Sequence, residues 1–175
     1  MTQWTAAILG LILSAVSTAV SPASHAFAAA EGAASRCPEF RAVTVRGEPV
    51  SGAGIRGSGQ VLVIAFWGLR CGSCIEEIPY LNRVRRDFGK RVRVLGVNAD
   101  GVPSEVLAEH IGKMGLTIDY DVVADPELAL ADLFRLETAP LTMVVRPDGE
   151  VAYRHNGFAP GDEAELVAAI ERSLK

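Results

Sequence analysis

The chain has 175 residues and a net charge of −4, from 17 Lys and Arg against 21 Asp and Glu. That mildly acidic balance argues against a nucleic-acid binder, which presents a basic face. Hydrophobic residues make up 49%, yet only one long apolar run occurs, which excludes a multi-pass membrane protein. Three cysteines are too few for a disulfide scaffold, so they call for an explanation by chemistry.

Residues 1–30 contain no Lys, Arg, Asp or Glu. Trp4 to Val20 is an apolar run with scattered Ser and Thr, and Ala26-Phe27-Ala28 fits a small-x-small cleavage site. This is the shape of a secretory signal over residues 1–28, although the segment before the run lacks Lys and Arg. A retained membrane anchor is the alternative, which would leave an N-terminal tether. Both readings export the rest of the chain to an oxidising compartment such as the periplasm. Residues 29–36 read as a linker and 37–175 as one domain.

Past the linker, Phe40–Val45 alternates weakly and is expected as a strand. The stretch from Gly47 to Gly59 holds five glycines and Pro49 and is expected to be turn-rich. Val61–Phe66 is a continuous apolar run, the signature of a strand buried on both faces. A helix is expected to follow as far as Phe88, with Ile75, Ile78, Leu81, Val84 and Phe88 at helical spacing and Gly89 as its stop. Arg91–Val97 is a second central strand. Pro103–Met114 reads as a helix and Asp121–Val123 as a short strand. Asp125-Pro126 is expected to cap a helix reaching Phe134. Thr142–Arg146 and Val151–His155 flank Pro147-Asp148-Gly149, a hairpin signal. Asp162–Leu174 closes the chain as an amphipathic helix. The sum is an α/β domain, with a parallel β-α-β unit first and an antiparallel hairpin near the end.

Cys71 and Cys74 lie between the buried strand and the helix that follows it, in a C-G-S-C motif. Backbone N–H groups and the helix dipole favour an anion at that position. A thiolate is such an anion, so Cys71 should be acidified and nucleophilic, and Arg70 adds a positive charge beside it. Cys74 is close enough to attack a mixed disulfide formed at Cys71. A C-x-x-C pair is also half of a zinc site, but Cys37, His110 and His155 supply no second pair at ligand spacing, so no metal is expected. A structural disulfide over so short a loop would stabilise little.

Trp67 four residues before Cys71, the C-G-S-C motif, Glu77 and Pro79 together resemble the thioredoxin superfamily. More narrowly they resemble exported thiol–disulfide oxidoreductases of the TlpA/ResA/DsbE type. Cys37-Pro38-Glu39-Phe40, Asp125-Pro126, Thr138-Ala139-Pro140-Leu141-Thr142 and Pro147-Asp148-Gly149-Glu150 occur in that family's order. The resemblance spans residues 37–172. It implies a thioredoxin-like fold: a central mixed β-sheet flanked by helices, with an N-terminal β extension and an inserted helix–strand segment. It implies Cys71 as nucleophile, Cys74 as resolving thiol, and Pro140 as a cis-proline facing them. Ala139 would pair its backbone with a substrate and Trp67 would pack beside the site; Arg70 departs from the family, which often has an aromatic residue there, and is read with them as bordering the substrate surface. Glu77 matches a glutamate proposed to move protons for the thiol pair. Thioredoxins proper use a buried Asp at the position of Ala65, so Glu77 is the matching base here. The competing reading of Glu77 is a solvated charge favouring the helix dipole.

The resemblance further implies reduction of protein disulfides, in apocytochrome c or in metal-chaperone proteins, fed by a membrane-bound thiol donor and without a cofactor. Two other activities compete. A peroxiredoxin-like peroxidase would carry Thr three residues before the reactive Cys and Pro seven before, where this chain has Gly68 and Ile64. A Cu(I)-binding module would use the C-x-x-C thiolates as soft ligands. Cys37 reads as a buried inert thiol.

Overall fold

The computed structural model describes residues 36–175. The leader expected over 1–28, and the linker up to residue 35, lie outside the described residues. No helix among the described residues is long and apolar enough to cross a membrane.

The elements in chain order are β1 (Arg41–Val43), β2 (Pro49–Ser51), α1 (Gly52–Gly57), β3 (Val61–Trp67), α2 (Gly72–Phe88), β4 (Val92–Asn98), α3 (Ser104–Lys113), β5 (Asp121–Ala124), α4 (Ala129–Leu133), β6 (Leu141–Val145), β7 (Val151–Asn156) and α5 (Glu163–Ser173). Five strands form the central sheet in the order β5-β4-β3-β6-β7. β3 pairs parallel with β4 and antiparallel with β6, so the sheet is mixed. β1 and β2 make a separate antiparallel ribbon, the N-terminal β extension. α3 and β5 follow β4 as a helix–strand segment, with β5 at the sheet edge.

Every residue of β3 is buried, because different layers cover its two faces. Side chains alternate along a strand. Val61, Val63, Ala65 and Trp67 therefore pack with Cys74, Leu81 and Val84 of α2, Leu107 of α3, and Leu166 and Ile170 of α5. Leu62, Ile64 and Phe66 pack on the other side with Phe40, Ile55, Leu130 and Phe134. Burying one such aliphatic or aromatic side chain contributes roughly 1.5–3 kcal/mol. The continuous apolar run in the sequence thus encodes two half-cores.

Two stretches differ from expectation. Gly47–Gly59 is not merely turn: it contains β2 and α1. Ser51 caps α1 by accepting the Gly54 N–H, and Ile55 anchors it in the core. The helix after Asp125-Pro126 starts later, at Ala129. Asp125 still caps it from a distance: its buried carboxylate accepts the N–H groups of Leu130 and Ala131 at 3.1 and 2.8 Å. Cys37 precedes β1 and its N–H donates to Gly149 O at 2.8 Å. Burial pushes its thiol up to about 11, against the pull of Arg56, which favours the neutral thiol at ordinary pH.

Candidate active site

β3 delivers the chain to the cysteine pair at one end of the sheet. The turn between them is held by the next strand's exit. Ala99 N donates to Trp67 O at 3.0 Å. The Asp100 carboxylate accepts the Leu69 N–H at 2.7 Å and the Asn98 side-chain amide at 2.7 Å. Asn98 itself is fully buried. Cys71 N then closes the turn on Gly68 O at 3.2 Å.

Cys71 is the N-cap of α2, with extended backbone, and its sulfur accepts the Cys74 N–H at 3.3 Å. A cap atom in this position meets the unsatisfied N–H groups and the positive end of the helix dipole. Both favour the thiolate over the thiol. Cys71 and Cys74 are joined in a disulfide, with Cα atoms 5.2 Å apart. The two sulfurs are not equivalent. Cys71 is half-buried, whereas Cys74 is 1% exposed. Cys71 is therefore the more accessible of the two sulfurs. Arg70 is exposed beside it.

Glu77 lies one turn beyond Cys74 on α2 and is only 4% exposed. This overturns the reading of Glu77 as a solvated dipole charge. The Thr142 hydroxyl donates to Glu77 Oε1 at 2.7 Å. Thr142 pairs with Ala65 across β6 and β3. The carboxylate thus reaches from the helix to the strand position opposite Ala65, the place where thioredoxins proper carry their acid. Burial pushes the Glu77 carboxyl up to about 7. The Thr142 hydrogen bond pulls it down and the negative charge of Asp162 pushes it further up. A carboxyl in that range gains and loses a proton near neutrality, as acid–base work requires.

The Ala139–Pro140 peptide bond is cis. Phe66 pairs with Leu141, so Pro140, one residue earlier, lies at the sheet end where β3 delivers Cys71. Ala139 and Cys71 pack against the same core cluster. Trp67 is 3% exposed and belongs to that core. Its Nε1 is buried without a hydrogen-bond partner, and its ring lies over Gly96, where a Cβ would come within 3.3 Å of Nε1 and 2.9 Å of Tyr120 Cε2.

The match to known proteins agrees with this geometry. The AhpC/TSA family model matches residues 33–154. The chain belongs to the AhpC/TSA family. Family relatives include the thiol-disulfide oxidoreductase ResA of Geobacillus kaustophilus, 27% identical over 160 residues, which covers 91% of this chain and 89% of the relative. The thiol:disulfide interchange protein DsbE of Xylella fastidiosa is 31% identical over 123 residues, 66% of this chain and 59% of its own length. A DsbE-type structure from Chlorobium tepidum superposes with a TM-score of 0.72 at 23% identity, covering 82% of this chain and 98% of that one. At that identity it shows the thioredoxin-like fold alone. With its Cys71–Cys74 disulfide, this AhpC/TSA-family chain is a thiol–disulfide oxidoreductase.

Of the residues singled out in the sequence, Cys71 and Cys74 are joined in a disulfide, Glu77 is buried one turn behind them, and Pro140 is cis. The sequence does not mark Thr142, whose hydroxyl donates to Glu77, or the Asn98–Asp100 clamp on the turn before Cys71. Nor does it mark the contact of His155 Nε2 with Asp162 Oδ2, at 3.3 Å. Nothing in the spacing of these residues announces their contacts.

Proposed function

We propose that this oxidoreductase works outside the cytoplasm as a reductant of protein disulfides, with Cys71 as nucleophile, Cys74 as resolving thiol and Glu77 as acid–base. In the reduced protein the Cys71 thiolate attacks one sulfur of a substrate disulfide. A mixed disulfide forms and the substrate's other sulfur leaves as a thiolate. The Cys74 thiol passes its proton to the Glu77 carboxylate and attacks the Cys71 sulfur. The Cys71–Cys74 disulfide forms, and the second substrate sulfur leaves. Two electrons have moved from the cysteine pair to the substrate. A membrane-bound thiol donor restores the dithiol.

The observation that carries this reading is the gradient of exposure along the first turns of α2. A half-buried Cys71 stands at the cap, with a buried Cys74 and a buried carboxyl behind it. The Ala139 backbone supports strand-against-strand pairing with an extended substrate segment. Trp67 braces the site from the core, and Arg70 offers charge to a substrate's acidic groups. The substrate class is a protein disulfide such as that of apocytochrome c or a metal chaperone. The charge-free segment over residues 1–28 supports export, as a cleaved signal or a tether.

The midpoint potential in a glutathione buffer tests the direction of electron flow. A value near that of thioredoxin, about −270 mV, is expected for a reductant. A value near that of a strong thiol oxidant, about −120 mV, would reverse the proposed direction.

A further inference from the structure

A buried acid–base group needs a way to exchange its proton with water. Each turnover of the proposed reaction moves one proton from Cys74 to Glu77, and re-reduction of the disulfide calls one back to Cys74, so Glu77 must exchange protons with water for the reaction to follow the pH. Cys74, at 1% exposure, blocks the side facing the sulfurs. Thr142 occupies Glu77 Oε1.

A cavity of about 10 Å³ adjoins Glu77, lined also by Thr142, Tyr153, His155, Phe158 and Asp162. That is room for about one water molecule, with polar groups enough to hold it. Its lining includes the His155–Asp162 pair, Nε2 to Oδ2 at 3.3 Å. The two side chains are 36% and 35% exposed, so they touch both the cavity and solvent. Imidazole accepts a proton on one nitrogen while donating from the other, which suits it to a relay. Asp162 is itself held in place, accepting the Ala159 N–H at 2.8 Å.

We propose that His155, steadied by Asp162, is a proton-relay residue that connects Glu77 to solvent through this one-water cavity. The inference rests on the acid–base role of Glu77 given above. The Glu77 O–H bond breaks and its proton passes to the water. The water gives a proton to the His155 imidazole, and the imidazolium releases it to bulk solvent. No group is oxidised or reduced; when the donor restores the dithiol the same path runs in reverse and returns a proton through Glu77 to Cys74.

Other groups around Glu77 set its balance. Thr142 faces it from β6, Tyr153 and His155 from β7, and Asp162 and Glu163 from α5. The buried Tyr120 hydroxyl, just before β5, feels its charge. Burial, with Glu165, Asp162 and Glu77, pushes the Tyr153 hydroxyl up to about 12, so it stays neutral and carries no proton away. Asp162 disfavours a second negative charge at Glu77. His155, which lines the cavity and is 36% exposed, is thus the group of this set suited to take the proton and pass it on.

The test uses steady-state disulfide reduction by the full chain, with a small-molecule disulfide as substrate and dithiothreitol as donor. Rates are measured from pH 5 to 9 in H2O and D2O. His155→Gln keeps a polar side chain beside Asp162 but cannot relay a proton. Its rate should fall about fivefold and its solvent isotope effect should rise, with the midpoint potential unchanged. His155→Phe should behave the same way. Asp162→Asn should move the acid limb of the pH profile to lower pH. If His155→Gln keeps the wild-type rate and isotope effect while Glu77→Gln flattens the acid limb, the relay is overturned and the Glu77 role stands. If Glu77→Gln leaves the acid limb intact, both are overturned together.

Discussion

The Thr142 hydroxyl donates to Glu77 Oε1 at 2.7 Å, joining a helix residue to a strand residue that lies 65 positions further along the chain. Both side chains are buried. This bond fixes the carboxyl one helical turn behind Cys74. It also accepts part of the desolvation cost, since the hydroxyl hydrogen-bonds the charged form.

Glu77→Gln should remove the acid limb from the pH profile of disulfide reduction. The limb is centred near the carboxyl's value of about 7: above it the carboxylate takes the Cys74 proton, and below it the group is already protonated. Glu76 is exposed on the same helix, so Glu76→Gln should leave the limb in place. Thr142→Val removes a bond that pulls the carboxyl down and should shift the limb upward. Stopped-flow rates between pH 5 and 9 check all three.

Stability should respond to the same carboxyl. Its value rises from 4.5 in the unfolded reference to about 7 in the folded chain, so the folded state binds more protons between those limits. Its stabilising contribution is full below pH 4.5 and is lost as pH rises through about 7. Two to three units correspond to about 3 kcal/mol. Glu77→Gln should flatten that slope and exceed wild-type stability at pH 8. Urea unfolding at pH 5 and pH 8 measures the difference.

Gly96→Ala should destabilise the fold without touching the cysteines. The added Cβ would meet Tyr120 Cε2 at 2.9 Å and Trp67 Nε1 at 3.3 Å, both on buried rings. Overpacking of this kind costs about 1–3 kcal/mol. A lower urea midpoint at unchanged slope, with reduced Trp fluorescence similarity to wild type, is the expected outcome.

Asp100→Ala should loosen the nucleophile's turn. It removes the acceptor for Leu69 N–H and for the Asn98 amide, and leaves the buried Asn98 short of a partner. The expected cost is about 1–3 kcal/mol. The rate of Cys71 alkylation in the reduced protein should change with it, because the turn sets where the sulfur sits on the helix cap.

The legible parts of this molecule were those written in local pattern. The apolar run Val61–Phe66, the helical spacing from Ile75 to Phe88 and the Pro147-Asp148-Gly149 turn each became the expected element. α1 was hidden because three of its six residues are glycine; its cap at Ser51 and its anchor at Ile55 outweigh poor helix propensity. Asp125 capped α4 from several residues away rather than adjacent to it. At the site, the cysteines and Glu77 follow from motif spacing. Thr142, Asp100 and the His155–Asp162 pair arise only when β4, β6, β7 and α5 are assembled, and no short-range signal marks them.

The central claim is that Cys71 attacks and Cys74 resolves. The most direct measurement is mass spectrometry of the Cys74→Ser variant after exposure to a disulfide-containing protein or peptide. The account predicts a stable mixed disulfide mapped to Cys71, with Cys37 unmodified, and no such adduct in Cys71→Ser. An adduct at Cys37, or none at Cys71, would contradict it.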